Sequence, residues 1–315
     1  MNLDFNTARI LVIGDLILDK YYHGSVTRIS PEAPVPVVLK KYEKTVPGGA
    51  ANVANNLQKL RAKVTLVGIA GNDNNGWVLS SILKEENIDT HIVIGNNPTV
   101  TKTRIIGEHQ QICRLDVEKD QPYSTQTKKE LKETLRAQIK EHGLLVISDY
   151  DKGLLDEETM AMIIEEADKH KVPVIIDPKK KDWGLYAGAY LVTPNLKEFK
   201  EICHRLQLDD TELVSSGQAI REKYDLDNLL ITLSDKGMML ITEKEDFHIP
   251  TIKKEVFDVS GAGDTVIATL GACIANGYDI RKSVEIANIA AGIVVGKFGT
   301  APIMLEELQE TVFNF

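Results

Sequence analysis

The chain has 315 residues, 43% of them hydrophobic, and a formal net charge of -9. This length and apolar content are sufficient for one large α/β domain. The acidic balance argues against nucleic acid or an anionic membrane as a partner, because either would require a basic face. No apolar run approaches a membrane span, and Cys113, Cys203 and Cys273 have the wide spacing typical of reduced thiols. We expect a cytoplasmic protein with a small-molecule ligand.

Residues 10–13 form a short apolar run that ends at Gly14 and Asp15. Such a run predicts a central strand of a parallel sheet, followed by a functional loop at its carboxyl end. Asp15 and Asp19 would then open towards the ligand, unless either of them only caps a turn. Further along, Gly48 and Gly49 precede a helical pattern.

Small residues at the start of that helix permit a ligand to approach the backbone closely. Asn52 offers both a donor and an acceptor in the first turn. Tight helix packing explains the neighbouring alanines equally well.

Two segments predict a small sheet outside the main layer. Residues 24–36 contain three prolines, which exclude a helix and favour an edge strand. Residues 99–116 alternate in polarity around a turn at Gly107, as in a two-stranded ribbon. We expect the ribbon to pair with the proline-bearing strand, so that segments of about 20–46 and 99–116 form a lid or a dimer surface. Lys102, Arg104 and Arg114 of the ribbon either meet an anionic substrate or are simply solvated.

From residue 124 onward, strands and helices alternate, which predicts a parallel sheet covered on both faces. Loops at 149–153 and 177–179 follow strands, where such sheets bind ligands. Asn195 and Glu198 lie three residues apart in the first turn of a helix and share a face. They either hold the water shell of Mg²⁺ or form a helix cap. Thr232 and Ser234, in the strand end and loop that lead to Gly237, have hydroxyls suited to nucleotide phosphates.

Residues 257–265 read FDVSGAGDT and precede an apolar run. Gly261, Ala262 and Gly263 would leave backbone amides unpaired at the positive end of a helix, which favours an anion such as phosphate. Asp264 then stands where a carboxylate takes a proton from a hydroxyl that attacks the phosphate. The alternative is a plain glycine-rich turn before a core helix. We interpret the stretch as a kinase site within a single domain of residues 1–315.

Three of these motifs occur in the order found in the ribokinase-like (PfkB) family of carbohydrate kinases, which the chain resembles over nearly its full length. The motifs are Gly48-Gly49 with Asn52, Asn195 with Glu198, and residues 258–264. The resemblance implies an α/β three-layer sandwich with a small β-sheet lid, the use of ATP and Mg²⁺, and Asp264 as the catalytic base.

The same resemblance implies roles for individual residues. Gly261, Ala262 and Gly263 would form the anion hole for the transferred phosphoryl group. Asp19, Gly49 and Asn52 would contact the sugar. The expected cofactor contacts are Asn195 and Glu198 with the metal and phosphates, Asn288 near the adenine, and Asp258 and Ser260 with a monovalent cation such as K⁺.

Four more specific stretches resemble the kinases of this family that act on D-glycero-β-D-manno-heptose 7-phosphate. They are residues 28–37, 47–55, 110–116 and 148–153. This likeness implies phosphorylation of the anomeric hydroxyl to give the 1,7-bisphosphate, on the route to the ADP-heptose of lipopolysaccharide. The sugar phosphate requires cations, for which the candidates are Lys102, Arg104, Arg114, Lys152 and Lys179.

Other interpretations remain open at this point. The chain could be another sugar or nucleoside kinase of the same fold, or a non-catalytic sugar or nucleotide sensor. No HxGH motif of a fused adenylyltransferase occurs in the sequence, so we expect a stand-alone kinase. We also expect a homodimer formed through the lid sheet.

Overall fold

The computed structural model describes residues 3–7, 9–108, 110–119, 121–251, 256–297 and 299–313. The strands in chain order are β1 (Arg9–Gly14), β2 (Leu16–Ile29), β3 (Pro36–Gly49), β4 (Lys63–Gly71), β5 (Asp89–Gly95), β6 (Val100–Gly107), β7 (Gln110–Val117), β8 (Leu144–Ser148), β9 (Val174–Asp177), β10 (Leu191–Val192), β11 (Asn228–Thr232), β12 (Met238–Thr242) and β13 (Asp246–Ile249). The helices are α1 (Ala50–Lys59), α2 (Asn74–Glu85), α3 (Thr125–Ile139), α4 (Glu157–His170), α5 (Leu196–Leu206), α6 (Leu213–Lys223), α7 (Ala262–Ala275), α8 (Ile280–Val294) and α9 (Leu305–Phe313). None of the helices in these ranges has the length and continuous apolar character needed to span a bilayer.

The main sheet has nine strands within the described ranges, in the order β13-β12-β11-β10-β9-β8-β1-β4-β5. The strands from β11 to β5 in that order are parallel, whereas β12 and β13 pair antiparallel. β1 lies between β8 and β4, and its residues 10–13 are fully buried. A strand covered on both faces needs a continuous apolar run. The central strand predicted at residues 10–13 is therefore confirmed.

Two hydrophobic cores flank this sheet. Ile10 and Val12 belong to a core with side chains of α1, α7, α8 and α9, while Leu11 and Ile13 belong to a second core with side chains of α3 to α6. Successive side chains of a strand point to opposite faces of the sheet. The sheet is thus sandwiched between two helical layers, which confirms the predicted three-layer α/β architecture.

A second sheet, which we call the lid sheet, has four strands in the described ranges, in the order β3-β2-β6-β7. Only Asp15 separates β1 from β2, so the lid sheet leaves the main sheet at the carboxyl end of a central strand. The structure confirms the ribbon as β6 and β7. Residues 24–36 do not form one strand, because residues 24–29 belong to β2, Pro31 and Pro34 lie in the connection, and Pro36 begins the edge strand β3. The ribbon pairs with the β2 part of this region, where residues 20–24 lie beside residues 103–107, and not with β3.

Helix α2 begins at Asn74, directly after β4 and Asp73. Asp73 caps this helix by accepting a hydrogen bond from the Gly76 amide at 2.8 Å. The same carboxylate accepts the Thr99 amide at 2.8 Å, which ties the helix start to the beginning of the ribbon. A side-chain cap stabilises a helix start that the local asparagines and glycine do not favour.

Candidate active site

Asp264 is the buried acid at the centre of the site. It lies in the first turn of α7, and only 4% of its surface is exposed. One carboxylate oxygen accepts a hydrogen bond from Asn52 Nδ2 at 2.7 Å, and the other accepts one from the Tyr150 hydroxyl at 2.9 Å. Each oxygen keeps a further lone pair, because a carboxylate can accept about four hydrogen bonds. The carboxylate is therefore held in place and can still accept a proton.

Burial raises the pKa of Asp264 to about 6. The hydrogen bonds from Asn52 and Tyr150 oppose this shift, because they favour the ionised carboxylate. The negative charge of Asp19 raises the pKa further, and the positive charge of Lys102 lowers it. A carboxylate whose pKa lies near neutral pH is better matched to general-base work than an ordinary surface aspartate.

Gly261 caps α7 in a left-handed conformation, with φ of 80°. A Cβ at this position would lie 2.9 Å from Thr300 Cγ2 and 3.1 Å from Asn52 Nδ2, so only glycine fits without displacement of these groups. Within the described residues, the amides of Gly261 and Gly263 have no hydrogen-bond acceptor. The helix start thus offers unpaired donors at its positive end.

The expected role of Ala262 in this anion hole needs correction. Its amide donates to the Val259 carbonyl at 3.2 Å and closes the turn that precedes the helix. Of the three amides at residues 261–263, that of Ala262 is therefore already hydrogen-bonded within the protein. The spacing of residues along the sequence did not indicate this.

Asn52 has a fixed amide orientation. Asn56, one turn later on α1, donates from Nδ2 to the Asn52 carbonyl at 2.9 Å and to Asn52 Oδ1 at 3.3 Å. Asn56 Oδ1 in turn accepts the Thr265 hydroxyl at 3.1 Å and the Ile303 amide at 3.0 Å. Since Asn52 Oδ1 faces the Asn56 donor, Asn52 Nδ2 must face Asp264.

Asp15 lies beneath the loop that carries Tyr150. Its Oδ2 accepts the amides of Tyr150 and Lys152, each at 3.0 Å. The side chain is 3% exposed, and burial raises its pKa to about 6. The structure therefore places the Asp15 side chain against backbone groups of the protein, and its expected contact with a sugar stays a prediction.

Asp19 lies on β2 and forms an ion pair with Arg104 on β6. A Cβ at Gly48 would lie 2.3 Å from Asp19 Oδ2, and one at Gly49, where φ is 55°, would lie 2.6 Å from the Asp15 carbonyl oxygen. The glycine pair thus makes room for the Asp19 side chain and for the close approach of β3 to the backbone of Asp15. This packing requirement accounts for both glycines, and their expected contact with a sugar stays a prediction.

Lys102 is a candidate cation whose positive charge lowers the pKa of Asp264. Its Nζ is 5.1 Å from the centroid of the Tyr150 ring, and burial lowers the pKa of the ammonium group. Within the described residues Lys102 has no carboxylate within salt-bridge distance. The other candidates are paired, Arg114 with Asp116 at 2.9 Å, Lys152 with Glu118 at 2.7 Å and Lys179 with Glu198 at 3.1 Å.

A cleft of about 200 Å³ adjoins the start of α7 at the carboxyl end of the main sheet. Its polar lining includes Asp149, Tyr150, Asp177, Thr193, Asn195, Glu198 and Thr232, and Gly263 and Val266 close it on the side of α7. Burial, followed by the charges of Asp264 and Glu198, raises the pKa of Asp177 well above its usual range. Carboxyl groups that face each other in this way favour a bound cation.

Asn195 and Glu198 form a capping box at the start of α5, with both hydrogen bonds at 3.0 Å. The capping alternative is therefore observed, and the expected metal role stays a prediction. Among the described residues, no group of three or more His, Cys, Asp or Glu side chains is arranged to hold a metal ion. Any metal here would have to draw further ligands from water or substrate.

Only some of the residues expected to contact the nucleotide line the cleft. Thr232 lines the cleft, whereas Ser234 and Gly237 lie outside its lining, in the tight turn between β11 and β12. A Cβ at Gly237 would lie 2.0 Å from the Ile249 carbonyl oxygen, so packing against β13 requires this glycine. Asn288 Nδ2 donates to the Pro250 carbonyl at 2.8 Å.

Asp258 joins the segment before α7 to a second loop. Its Oδ1 accepts the Ser260 amide at 2.9 Å, and its Oδ2 accepts the Gly299 amide at 3.2 Å. These contacts hold the glycine turn in position, and the expected cation at Asp258 and Ser260 stays a prediction.

Sequence reasoning gave no individual role to two groups that the structure places at the site. Tyr150 donates to Asp264, and Asp177 lines the neighbouring cleft. Tyr150 lies two residues after β8 and Asp177 is the last residue of β9. Both positions lie at the carboxyl edge of the sheet, which was the signal available in the sequence. Because Tyr150 and Asp177 are far from residue 264 along the chain, the sequence did not indicate that they lie near it.

Comparison with known proteins gives a consistent result. A family model described as pfkB family carbohydrate kinase matches residues 7–307. The chain is 43% identical over 311 residues to a relative named bifunctional protein HldE from Haemophilus influenzae (strain PittEE), covering 98% of this chain and 64% of that protein. The chain therefore spans less than two thirds of the length of this relative.

Solved structures share the fold. The phosphofructokinase-2 of Escherichia coli in complex with potassium superposes with a TM-score of 0.81 at 19% identity, covering 98% of this chain and 99% of that one. A ribokinase from Thermotoga maritima gives 0.75 at 21% identity, covering 98% and 100%. These likenesses confirm the predicted ribokinase-like fold with its lid. The match of the family model over almost the whole sequence shows that the chain belongs to the pfkB family of carbohydrate kinases.

Proposed function

We propose that this protein transfers the terminal phosphoryl group of ATP to the anomeric hydroxyl of D-glycero-β-D-manno-heptose 7-phosphate. The product is the 1,7-bisphosphate, an intermediate towards the ADP-heptose of lipopolysaccharide. The observation that carries the kinase proposal is the buried Asp264 carboxylate beside unpaired amides at the start of α7. The heptose-like stretches of the sequence support the choice of acceptor. Free cysteines at 113, 203 and 273 fit a cytoplasmic site of action.

In the proposed reaction Asp264 accepts the proton of the sugar hydroxyl as its oxygen attacks the γ-phosphorus and the bond to the ADP oxygen breaks. Asn52 and Tyr150 hold the carboxylate in the orientation needed for this transfer. The amides of Gly261 and Gly263 donate to the phosphoryl oxygens, where negative charge must be stabilised. Asp19, Gly49 and Asn52 line the sugar side.

The oxygen donors of the cleft fit a hard divalent cation. Glu198 and Asp177 supply carboxylates and Asn195 an amide oxygen, and Mg²⁺ commonly combines one or two carboxylates with waters and substrate phosphates. When bound, Mg²⁺ would neutralise charge on the ATP phosphates. Thr232, Ser234 and Gly237 would lie along the nucleotide and Asn288 near its base. Asp258 and Ser260 are the proposed position of K⁺.

The product and the base are tested together by phosphorus NMR of reactions that contain heptose 7-phosphate and ATP. We expect the wild type to add a second phosphoryl group at the anomeric carbon. Asp264→Asn should fold and bind ATP, but should turn over at least about a hundredfold more slowly, because general-base catalysis typically contributes about 10² to 10⁴-fold.

The matched control is Asp168→Asn, which makes the same chemical change on an exposed position of α4. Its rate should equal that of the wild type. Near-normal turnover of Asp264→Asn would rule out the assigned base, and no anomeric phosphate from the wild type would rule out the acceptor.

The rate should depend on pH through Asp264. A base must be ionised, and burial raises the pKa of this carboxyl to about 6. We expect kcat/KM to be constant above that pH and to fall about tenfold per pH unit below it. The ionisable groups that influence Asp264 are Asp19, Lys102, Tyr150 and Asp177.

A sugar phosphate also titrates near pH 6, so the assignment needs a variant. Tyr150→Phe removes a hydrogen bond that lowers the pKa of Asp264, and its acidic limb should move to higher pH. A limb at the same pH in Tyr150→Phe and the wild type would belong to the substrate and contradict this prediction.

We propose Lys102 as the principal contact of the sugar phosphate, because it alone among the candidate cations is unpaired in the described residues and lies against Tyr150. Lys102→Met should raise KM for heptose 7-phosphate about tenfold or more, since a charge-assisted hydrogen bond contributes about 1.5–3 kcal/mol. KM for ATP should change little.

Lys63→Met is the control, with the same change at an exposed position where β4 begins. An unchanged KM for the sugar in Lys102→Met, or an equal rise in both variants, would show that another group binds the phosphate. Arg104, Arg114 and Lys152 would then be the next candidates.

We further propose that two copies associate through the lid sheet. Large apolar side chains on its strands are exposed, including Leu39 at 68%, Tyr42 at 58% and Leu115 at 60%. Such a surface is usually covered by a partner. Light scattering should give the mass of a dimer, and Leu115→Glu should give a monomer. A wild-type monomer at micromolar concentration would contradict the proposal.

A further inference from the structure

The two carboxylate oxygens of Asp15 have different surroundings. Oδ2 accepts the Tyr150 and Lys152 amides at 3.0 Å, and Oδ1 is buried without a hydrogen-bond partner among the described residues. A buried carboxylate is costly unless its hydrogen bonds return part of the desolvation energy. An apolar residue would avoid that cost but would leave two loop amides without this acceptor. Packing alone therefore does not explain why an aspartate occupies position 15.

The backbone of Asp15 joins the same neighbours. Its amide donates to the Ser148 carbonyl at 3.3 Å, and its carbonyl accepts the Ala50 amide at 3.1 Å. Ser148 ends the strand that leads to Tyr150, and Ala50 begins the helix that carries Asn52. Asp15 thus lies between the two segments that supply the hydrogen-bond donors of Asp264.

We propose that Asp15 is a positioning residue, which holds the Tyr150 loop so that the Tyr150 hydroxyl reaches Asp264. This inference rests on the function proposed above and replaces the expected contact of Asp15 with the sugar. Its Oδ2 anchors the Tyr150 and Lys152 amides on either side of Asp151, whose φ is 55°. A left-handed backbone position costs free energy in any residue other than glycine, although aspartate tolerates it better than most, so hydrogen bonds on both sides stabilise the turn. Loss of the anchor would let the turn relax and withdraw the Tyr150 side chain.

Two variants distinguish the effect of losing the side-chain hydrogen-bond acceptor from the effect of losing the negative charge. Asp15→Asn keeps an oxygen that can accept both amides, whereas Asp15→Ala removes it. We expect Asp15→Ala to lower kcat about ten- to a hundredfold, the range for a misplaced catalytic group. We expect Asp15→Asn to stay within about threefold of the wild type, because its geometry is retained.

A direct titration of Asp264 tests the inference without relying on catalysis. Carbon NMR of protein labelled at the aspartate carboxyl groups, with the Asp264 signal assigned by its loss in Asp264→Asn, reports the pKa of this group. Asp15→Ala should raise that pKa as Tyr150→Phe does, because each removes the Tyr150 hydrogen bond. Removal of a negative charge alone would lower it, so the sign distinguishes the two effects.

The double variant completes the test. If Asp15 acts through Tyr150, then Asp15→Ala combined with Tyr150→Phe should have the same kcat and the same Asp264 pKa as Tyr150→Phe alone. Multiplied losses of rate, an unshifted pKa in Asp15→Ala, or a raised sugar KM with normal kcat would each overturn the inference. If the pKa of Asp264 shifts as expected in these variants but the wild type has no kinase activity, the proposed function is wrong and the positioning role of Asp15 is retained.

Discussion

The site depends on one constraint: the Asp264 carboxylate is buried at the start of α7, and the proposed mechanism requires it to stay available as a base. Burial alone raises the pKa of Asp264 and favours its protonated form. The hydrogen bonds from Asn52 and Tyr150 and the positive charge of Lys102 offset part of that effect. Asn52 comes from α1, Tyr150 from the loop after β8, and Lys102 from the lid sheet. The three-layer core and the lid are therefore both needed to set the properties of a single side chain.

The strands of the lid sheet are continuous along the chain with segments that form the site. β2 continues from β1 after a single residue, and β3 returns to the main layer at the glycine pair that precedes α1. Asp19 and Lys102 lie on β2 and β6 of the lid sheet, whereas Asn52 lies on α1 of the core. The lid and the core therefore both supply groups around Asp264.

The sequence was sufficient for the elements whose signal is local. The apolar run at 10–13 predicted β1, and the alternation after residue 99 predicted the ribbon. The proline-bearing strand predicted at 24–36 was only partly correct, because its residues are divided between β2, a connection and the start of β3. It was not sufficient for contacts between distant segments, such as that of Tyr150 with Asp264 across 114 positions. It also did not show that residues 16–29 form a separate strand, β2, because polar residues and Gly24 obscure its alternation. The internal use of the Ala262 amide depends on the backbone angles of one turn, which residue types alone do not determine.

The most direct test of the central claim is a crystal structure of the protein with an unreactive ATP analogue and the sugar phosphate. The account predicts an Asp264 oxygen within about 3 Å of the acceptor hydroxyl. It also predicts the terminal phosphoryl group within hydrogen-bond distance of the Gly261 and Gly263 amides. A nucleotide bound away from the start of α7, or an acceptor hydroxyl that approaches a different carboxylate, would contradict the account.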